Sequence, residues 1–299
     1  KGDNVRLAQL RRRVAPFMVR RTKEAVAADL PPKIEAITEV DLNPRHRKVY
    51  DRLLARERAR VLGLVDDLDG HRFEVLRSLT ILRQAALDVS LVADADPHIA
   101  PAEPGDDAAV GPAVDGPAVH GPGSGAGPHH APSSKLEVLF EMLDDILAEE
   151  HSVLIFSQFT QFLGKVRDGL VARGVEHSYL DGRTRNRQET IERFTSGGTK
   201  VFLISLKAGG FGLNLTAADY CILLDPWWNP AAEAQAVDRA HRIGQTKQVM
   251  VYRLVAQDTI EEKVMALKAG KSALFTSVLD GGAAGGAGLS AQDVRELLS

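Results

Sequence analysis

The sequence predicts an α/β protein: a parallel β-sheet with helices on both faces, preceded by a helical segment and a disordered linker. Three observations predict it. After residue 135, short apolar runs alternate with amphipathic stretches of helical length, the pattern of strands covered on two sides. Residues 43–92 are rich in Arg and Leu at helical spacing, as in HRKVYDRLLARERARVLGLV. Between them, residues 93–134 turn to Pro, Gly, Ala and Asp, as in GPAVDGPAVHGPGSGAGP, with too little apolar surface to offset the entropy of ordering.

The carboxyl half reads element by element. Leu136, Leu139, Phe140 and Leu143 mark a helix, and Val153 to Phe156 a short strand. Phe159, Phe162, Leu163 and Val166 mark the next helix, followed by a strand at 176–180 and a helix at 188–194. Strands at 201–205 and 220–224 come next, then an arginine-bearing helix, a strand at 249–255 and a helix beginning near Thr259. Asn229 is a suitable cap for the arginine helix, Pro230 suits its first position, and Gly244 can end it after about three turns. Spacings of four and three then place Gln235, Arg239 and Arg242 on one helix face, suited to an anion, although charged faces more often meet only water. The resulting boundaries are 1–42, 43–92, 93–134, 135–280 and 281–299, the last a tail helix.

Composition narrows the classes. With 299 residues and 44% hydrophobic content the chain can bury a real core, about two domains' worth. A net charge of −3 gives no global attraction to nucleic acid, but Arg6, Arg11, Arg12, Arg13, Arg20, Arg21 and Lys23 crowd the start. The single cysteine, Cys221, excludes an intramolecular disulfide and favours a reducing, cytoplasmic setting. No apolar run approaches the roughly 20 residues of a membrane helix, and the opening on Lys1 in mid-pattern suggests a piece of something longer. No metal site is expected: His98, His120, His129 and His130 lie in the linker without cysteines or helical spacing.

In a parallel sheet, ligands bind at the carboxyl ends of strands. Four candidate loops fall there: Ser157-Gln158, Asp181-Gly182, the glycine loop LKAGGFGLNL (206–215) and Asp225-Pro226. Glycines in such a loop let backbone N–H groups approach a phosphate. The loop is no dinucleotide fingerprint, since Leu215 stands where a third glycine is needed. Nor does the chain carry a P-loop, because Met265 replaces the leading glycine of its one Gly-Lys-Ser, at 270–272. Asp181 and Asp225 read equally well as turn or helix caps.

The strings WWNP (227–230) and QAVDRAHRIGQ (235–245) resemble the last motif of the Swi/Snf family of ATP-driven DNA translocases, in helicase superfamily two. VLIFSQFTQFL, YLDGRTRNRQETIERF and VFLISLKAGGFGLNLTAADYCILLDPWWNP are similar, in order, to motifs of that family's second RecA-like lobe. FMVRRTKEAVAADLPPK (17–33) resembles its inter-lobe connector, and LRQAALDVSLV (82–92) the close of its helical protrusion, without the cysteine and proline often found there. Arg183 in place of serine and a short DGRTRNRQ turn suggest a compact prokaryotic member.

The resemblance implies a RecA-like lobe at 135–280, a connector at 1–42 and a protrusion at 43–92. It also implies ATP and Mg, held mainly by a first lobe whose P-loop and acidic box this sequence lacks. The acidic string at 148–151 reads as a helix end instead. On that reading Arg239 and Arg242 are catalytic, and Gln235, Gly210 and Gly212 meet nucleotide. Ser157, Gln158, Arg183, Lys207, Asn214 and Trp228 meet DNA. Implied partners are double-stranded DNA and the amino-terminal RecA-like lobe of the same protein, with DNA-bound proteins or RNA polymerase as further candidates. The expectation is half an active site, inactive by itself. The alternative is a DNA- and protein-binding module that has lost hydrolysis.

Overall fold

Six strands, all parallel, form one sheet in the computed structural model, which describes residues 30–67, 70–93, 133–206, 208, 213–227, 230–269 and 290–299. The strands are β1 (Lys33–Val40), β2 (Val153–Ser157), β3 (His177–Leu180), β4 (Val201–Ser205), β5 (Tyr220–Leu223) and β6 (Val249–Ala256), in the order β1-β6-β5-β2-β4-β3. β2 and β4, VLIFS and VFLIS, are wholly buried at the centre. Alternate residues feed opposite faces. Val153, Ile155, Val201 and Leu203 meet α4 (Ser134–Ala148) and α5 (Thr160–Ala172), whereas Leu154, Phe156, Phe202 and Ile204 meet α6 (Arg187–Thr195) and α7 (Pro230–Val237).

Two features depart from expectation. β1 falls inside the stretch read as a connector, yet it pairs with β6 along its whole length, from Lys33 opposite Val249 to Val40 opposite Ala256. Its KIEAITEV mixes charge with apolar residues because it is an edge strand, and Ile34 and Ile37 remain exposed. The helical segment is also no isolated protrusion. α1 (Pro44–Leu62), α2 (Arg72–Leu87) and the short α3 (Ser90–Ala93) share one core with α8 (residues 260–269) and α9 (Ala291–Leu297), through Tyr50, Leu79, Ile260, Val264, Val294 and Leu297. The Tyr50 hydroxyl accepts from Ile260 N at 2.7 Å, and Arg295 of α9 reaches Asp66 at 2.8 Å.

Side-chain caps set the starts of α1, α4 and α9. Asn43 accepts from His46 N at the start of α1, with Pro44 in the first turn. Ser133 and Ser134, placed in the linker by composition, belong instead to the start of α4: Ser133 caps it and also donates to Leu87 O at 2.6 Å, and Asn43 N donates to Ser134 Oγ at 2.8 Å. The rest of that linker, 94–132, and residues 1–29 of the connector lie outside the described residues. As read, the acidic string at 148–151 closes α4, with Glu150 in the left-handed region at φ 60°. Among the described residues no helix is long and apolar enough to cross a membrane.

α4 and α5 touch where Phe140 lies over Gly169, and Arg173 stacks on the same ring 3.8 Å from its centroid. A Cβ at Gly169 would sit 2.2 Å from Phe140 Cζ. Gly169→Ala therefore overpacks the interface by about 1–3 kcal/mol, against a helix-propensity gain of about 1 kcal/mol. The melting temperature should fall, and adding Phe140→Leu should restore part of the loss.

Candidate functional site

The loops after β2, β3, β4 and β5 meet at one edge because these strands are neighbours in the sheet. Leu206 N donates to Ser157 O at 3.0 Å, and Leu224 N donates to Phe156 O at 2.9 Å. Beneath this edge lies a network of buried polar groups. Ser157 Oγ donates to Asp225, and the Gln158 backbone N–H and side-chain amide also donate to that carboxylate, the amide at 2.7 Å. Arg83 enters from α2, donating to Pro226 O at 2.6 Å and Gln158 Oε1 at 3.1 Å, and stands 3.7 Å from Asp225. Lys135 of α4, fully buried, donates to Leu224 O, Leu254 O and Glu261 at 2.7, 2.8 and 2.5 Å. Burial pushes the Asp225 carboxyl above the usual carboxylate range despite Arg83 and the Ser157 hydroxyl.

This geometry corrects one assignment and refines two. Ser157 is fully buried and committed to Asp225, with Phe159 N donating to it as well, so its side chain is not placed to reach a DNA phosphate. Asp225 is a structural acceptor under the loops. Asp181 caps its own turn, accepting from Arg183 N at 2.8 Å and Thr184 Oγ1 at 3.1 Å. Gln158 is half-buried, while Arg183 and Asn214 are exposed. Asn214 faces an open groove of about 630 Å³ against α6, lined also by Gln188, Glu192 and Thr216.

The arginine segment is shorter as a helix than its punctuation suggests. α7 ends at Val237, after eight residues, and the chain continues as turns through 240. Bonds such as His241 N to Val237 O prolong the curl, but Gln235, Arg239 and Arg242 do not share one face of a regular helix. Gln235 and Arg242 are exposed, whereas Arg239 is buried. Leu215 N pairs with Arg239 O at 2.9 Å and competes with a regular helix at this point. Gly244, at φ 103°, does turn the chain as expected of glycine.

Gln245 then staples the segment. Its amide donates to the carbonyls of Thr216, Ala218 and Ala240 at 3.2, 2.8 and 3.1 Å, and its oxygen accepts from Thr246 N and Lys247 N. His241 Nε2 hydrogen-bonds Pro31 O at 2.8 Å. At the other end, buried Glu233 accepts from Trp227 N and pairs with Arg253 of β6 and Lys268 of α8.

The sequence reading missed Arg187, at the start of α6. It donates to Ala208 O, the first turn of the glycine loop, at 2.5 Å and stands near enough to Arg239 to repel it. Burial first, then this guanidinium, holds Arg239 below the ordinary arginine value. The hint in the sequence is the triplet of arginines in RTRNR, Arg183, Arg185 and Arg187. Among the described residues no group of three His, Cys, Asp or Glu is arranged to hold a metal. Lys207, Gly210, Gly212, Trp228 and the Asn229 cap lie outside the described residues.

Arg83 and Asp225 should behave as a coupled buried pair. Arg83→Met, by stranding the carboxylate, should lower stability by about 3–5 kcal/mol in equilibrium unfolding. The double variant with Asp225→Asn should lose clearly less than the sum of the two single variants.

Comparison with known proteins gives this geometry a family. The SNF2-related domain family matches residues 1–91 and the helicase conserved C-terminal domain family matches residues 134–244. An uncharacterized ATP-dependent helicase of Mycoplasma pneumoniae is 34% identical over 274 residues, 90% of this chain and 23% of that protein. A probable chromatin-remodeling complex ATPase chain of Oryza sativa subsp. japonica is 35% identical over 279 residues, 92% of this chain and 23% of its own length. The chain thus spans less than a quarter of these relatives. Among solved structures, the Sulfolobus solfataricus SWI2/SNF2 ATPase core in complex with dsDNA aligns at TM-score 0.62 and 27% identity, over 99% of this chain and 57% of that one. The C-terminal part of the Fun30 ATPase domain aligns at TM-score 0.59 and 26% identity, over 80% and 89%. The parallel sheet with its arginine segment at the carboxyl edge is the RecA-like fold of these ATPase domains, and the protein belongs to the Swi/Snf family.

Proposed function

We propose that this chain is the carboxyl-terminal motor lobe of a DNA-stimulated ATPase that translocates on double-stranded DNA. The observation that carries the reading is the clustering of Arg187 and Arg239 at the glycine loop, with Arg242 exposed three residues further on. Holding two guanidiniums together costs electrostatic repulsion, which a phosphate group would relieve. The relatives' descriptions as ATP-dependent helicase and remodeling ATPase, and the solved core bound to dsDNA, support the same direction.

The donors at this edge are guanidiniums and backbone N–H groups, which suit phosphate oxygens but not a cation. ATP is the substrate and Mg its counter-ion, and both would be held mainly by a first lobe across the cleft. Arg242 reaches over to the terminal phosphate and neutralises charge that develops during transfer. Arg239, buried beside Arg187, orients the segment and contributes the second positive charge. Gln235 senses nucleotide from α7, and Gly210 and Gly212 let the backbone approach the phosphates. Gln158, Arg183 and Asn214, with Lys207 and Trp228, track one DNA strand through its backbone, so binding is salt-sensitive and blind to sequence. Closure around ATP and reopening after hydrolysis then advance the lobe along the duplex. By itself the chain turns over no ATP.

The test is DNA-stimulated ATP hydrolysis by this lobe joined to its first lobe. Arg242→Ala should lower turnover by roughly a hundredfold or more, as for loss of a transition-state arginine, with melting unchanged because the side chain is exposed. Unchanged turnover would remove the role assigned to Arg242.

A further inference from the structure

The exposed side of α1 carries a row of positive charge that the site above does not use. Arg45, Lys48, Arg52, Arg56 and Arg60 follow one another at steps of three or four residues, so they fall along one face of this 19-residue helix. His46, Tyr50, Leu53, Glu57 and Val61 are turned into the core. From Arg45 to Arg60 the row runs about 22 Å, at a rise of about 1.5 Å per residue.

From within, the helix neutralises only Arg56 of this row. Its two carboxylates, Asp51 and Glu57, are taken up by Arg47 at 4.0 Å and Arg56 at 2.7 Å. Arg45, Lys48, Arg52 and Arg60 are all exposed, and none of the four makes an ion pair among the described residues. The arrangement opposes helix stability in two ways. Lys48–Arg52, Arg52–Arg56 and Arg56–Arg60 are like-charge pairs four residues apart, and each weakens the helix. The first turn holds no acid, so Arg45 also faces the positive end of the helix dipole. Local rules broken together, with no ion pair to Arg45, Lys48, Arg52 or Arg60 among the described residues, mark a surface shaped for a partner.

We infer that this face of α1 is a docking surface for the phosphate backbone of duplex DNA, separate from the loops at the strand ends. The charge selects a polyanion, and the length selects a regular one. Phosphates of one strand recur about every 3.4 Å along the duplex axis, so the row spans about six of them. α1 starts at the carboxyl edge of the sheet, where Arg47 donates to the carbonyls of Gln257 and Asp258 at 2.7 and 2.9 Å, just after β6. The row therefore starts at the edge that carries the proposed motor site. It shares its partner with the proposed function but rests on none of the arginines assigned there.

The experiment measures binding of the chain to mixed-sequence duplex DNA over a range of NaCl concentrations. The variant combining Arg45→Gln, Lys48→Gln, Arg52→Gln and Arg60→Gln is compared with one in which Arg45, Arg52 and Arg60 are each changed to Lys. Each neutralised phosphate contributes about −0.9 to the slope of log affinity against log salt. The glutamine variant should have a slope shallower by about three to four and bind more weakly at low salt, with melting equal to or above the parent because repulsion is relieved. The lysine variant should keep the parent slope. An unchanged slope in the glutamine variant overturns the docking surface while leaving the motor reading intact. Loss of binding to polyglutamate, with duplex binding unaltered, overturns it in favour of an acidic protein partner. The motor reading fails separately, if turnover survives Arg242→Ala.

Discussion

The fold depends on charge buried away from solvent. Arg83, Asp225, Lys135 and Glu261 come from α2, the end of β5, α4 and α8, and each sits at or near zero exposure. Isolated charges at such depth are expensive, so the arrangement persists only because each group is met by several partners at short range. Lys135 spends its three N–H groups on two strand-end carbonyls and a carboxylate, and Arg83 binds a loop carbonyl, an amide and Asp225. Such a network contributes less to net stability than an apolar core of equal volume would. What it contributes is position, since its hydrogen bonds tolerate little displacement.

That positional effect reaches the loops. Gln158 is oriented by Asp225 on one side and Arg83 on the other, so the loop after β2 answers directly to the helical segment. Gln245 plays the same part for the arginine segment, with five hydrogen bonds from one side chain. Between them, these two glutamines connect α2, β2, β5 and the turns after α7. The described parts of these loops are thus held by polar side chains at their bases.

The central strands were legible in the sequence because VLIFS and VFLIS are continuous apolar runs, which require two covered faces. The helices of the second half were equally plain from their spacing. β1 was not, because an edge strand with one wet side carries charge where a central strand would not, and its neighbour β6 lies more than 200 residues away. The shared core of α1, α2, α8 and α9 was hidden for the same reason: periodicity reports which face is apolar, not which distant face will cover it. Around the arginines, the start of α7 and the turn at Gly244 were readable, but the early end of that helix was not. It follows from the tertiary bond between Leu215 and Arg239, which local punctuation does not encode. Ser157 looked like a loop-tip donor by position, and only the burial of Asp225 beneath it shows otherwise.

The hydrogen bond from His241 to Pro31 gives the entering chain a mechanical role. Pro31 immediately precedes β1, and β1 is zipped to β6 for eight residues. Tension applied upstream of residue 30 would be borne in shear by that pair of strands, which resists far better than peeling one bond at a time. Pro31 itself, just ahead of the zipped region, is the first point to feel the load, and it is tied to the residue beside Arg242. A pull on the leading strand is thereby geared to the arginine turn before the sheet yields.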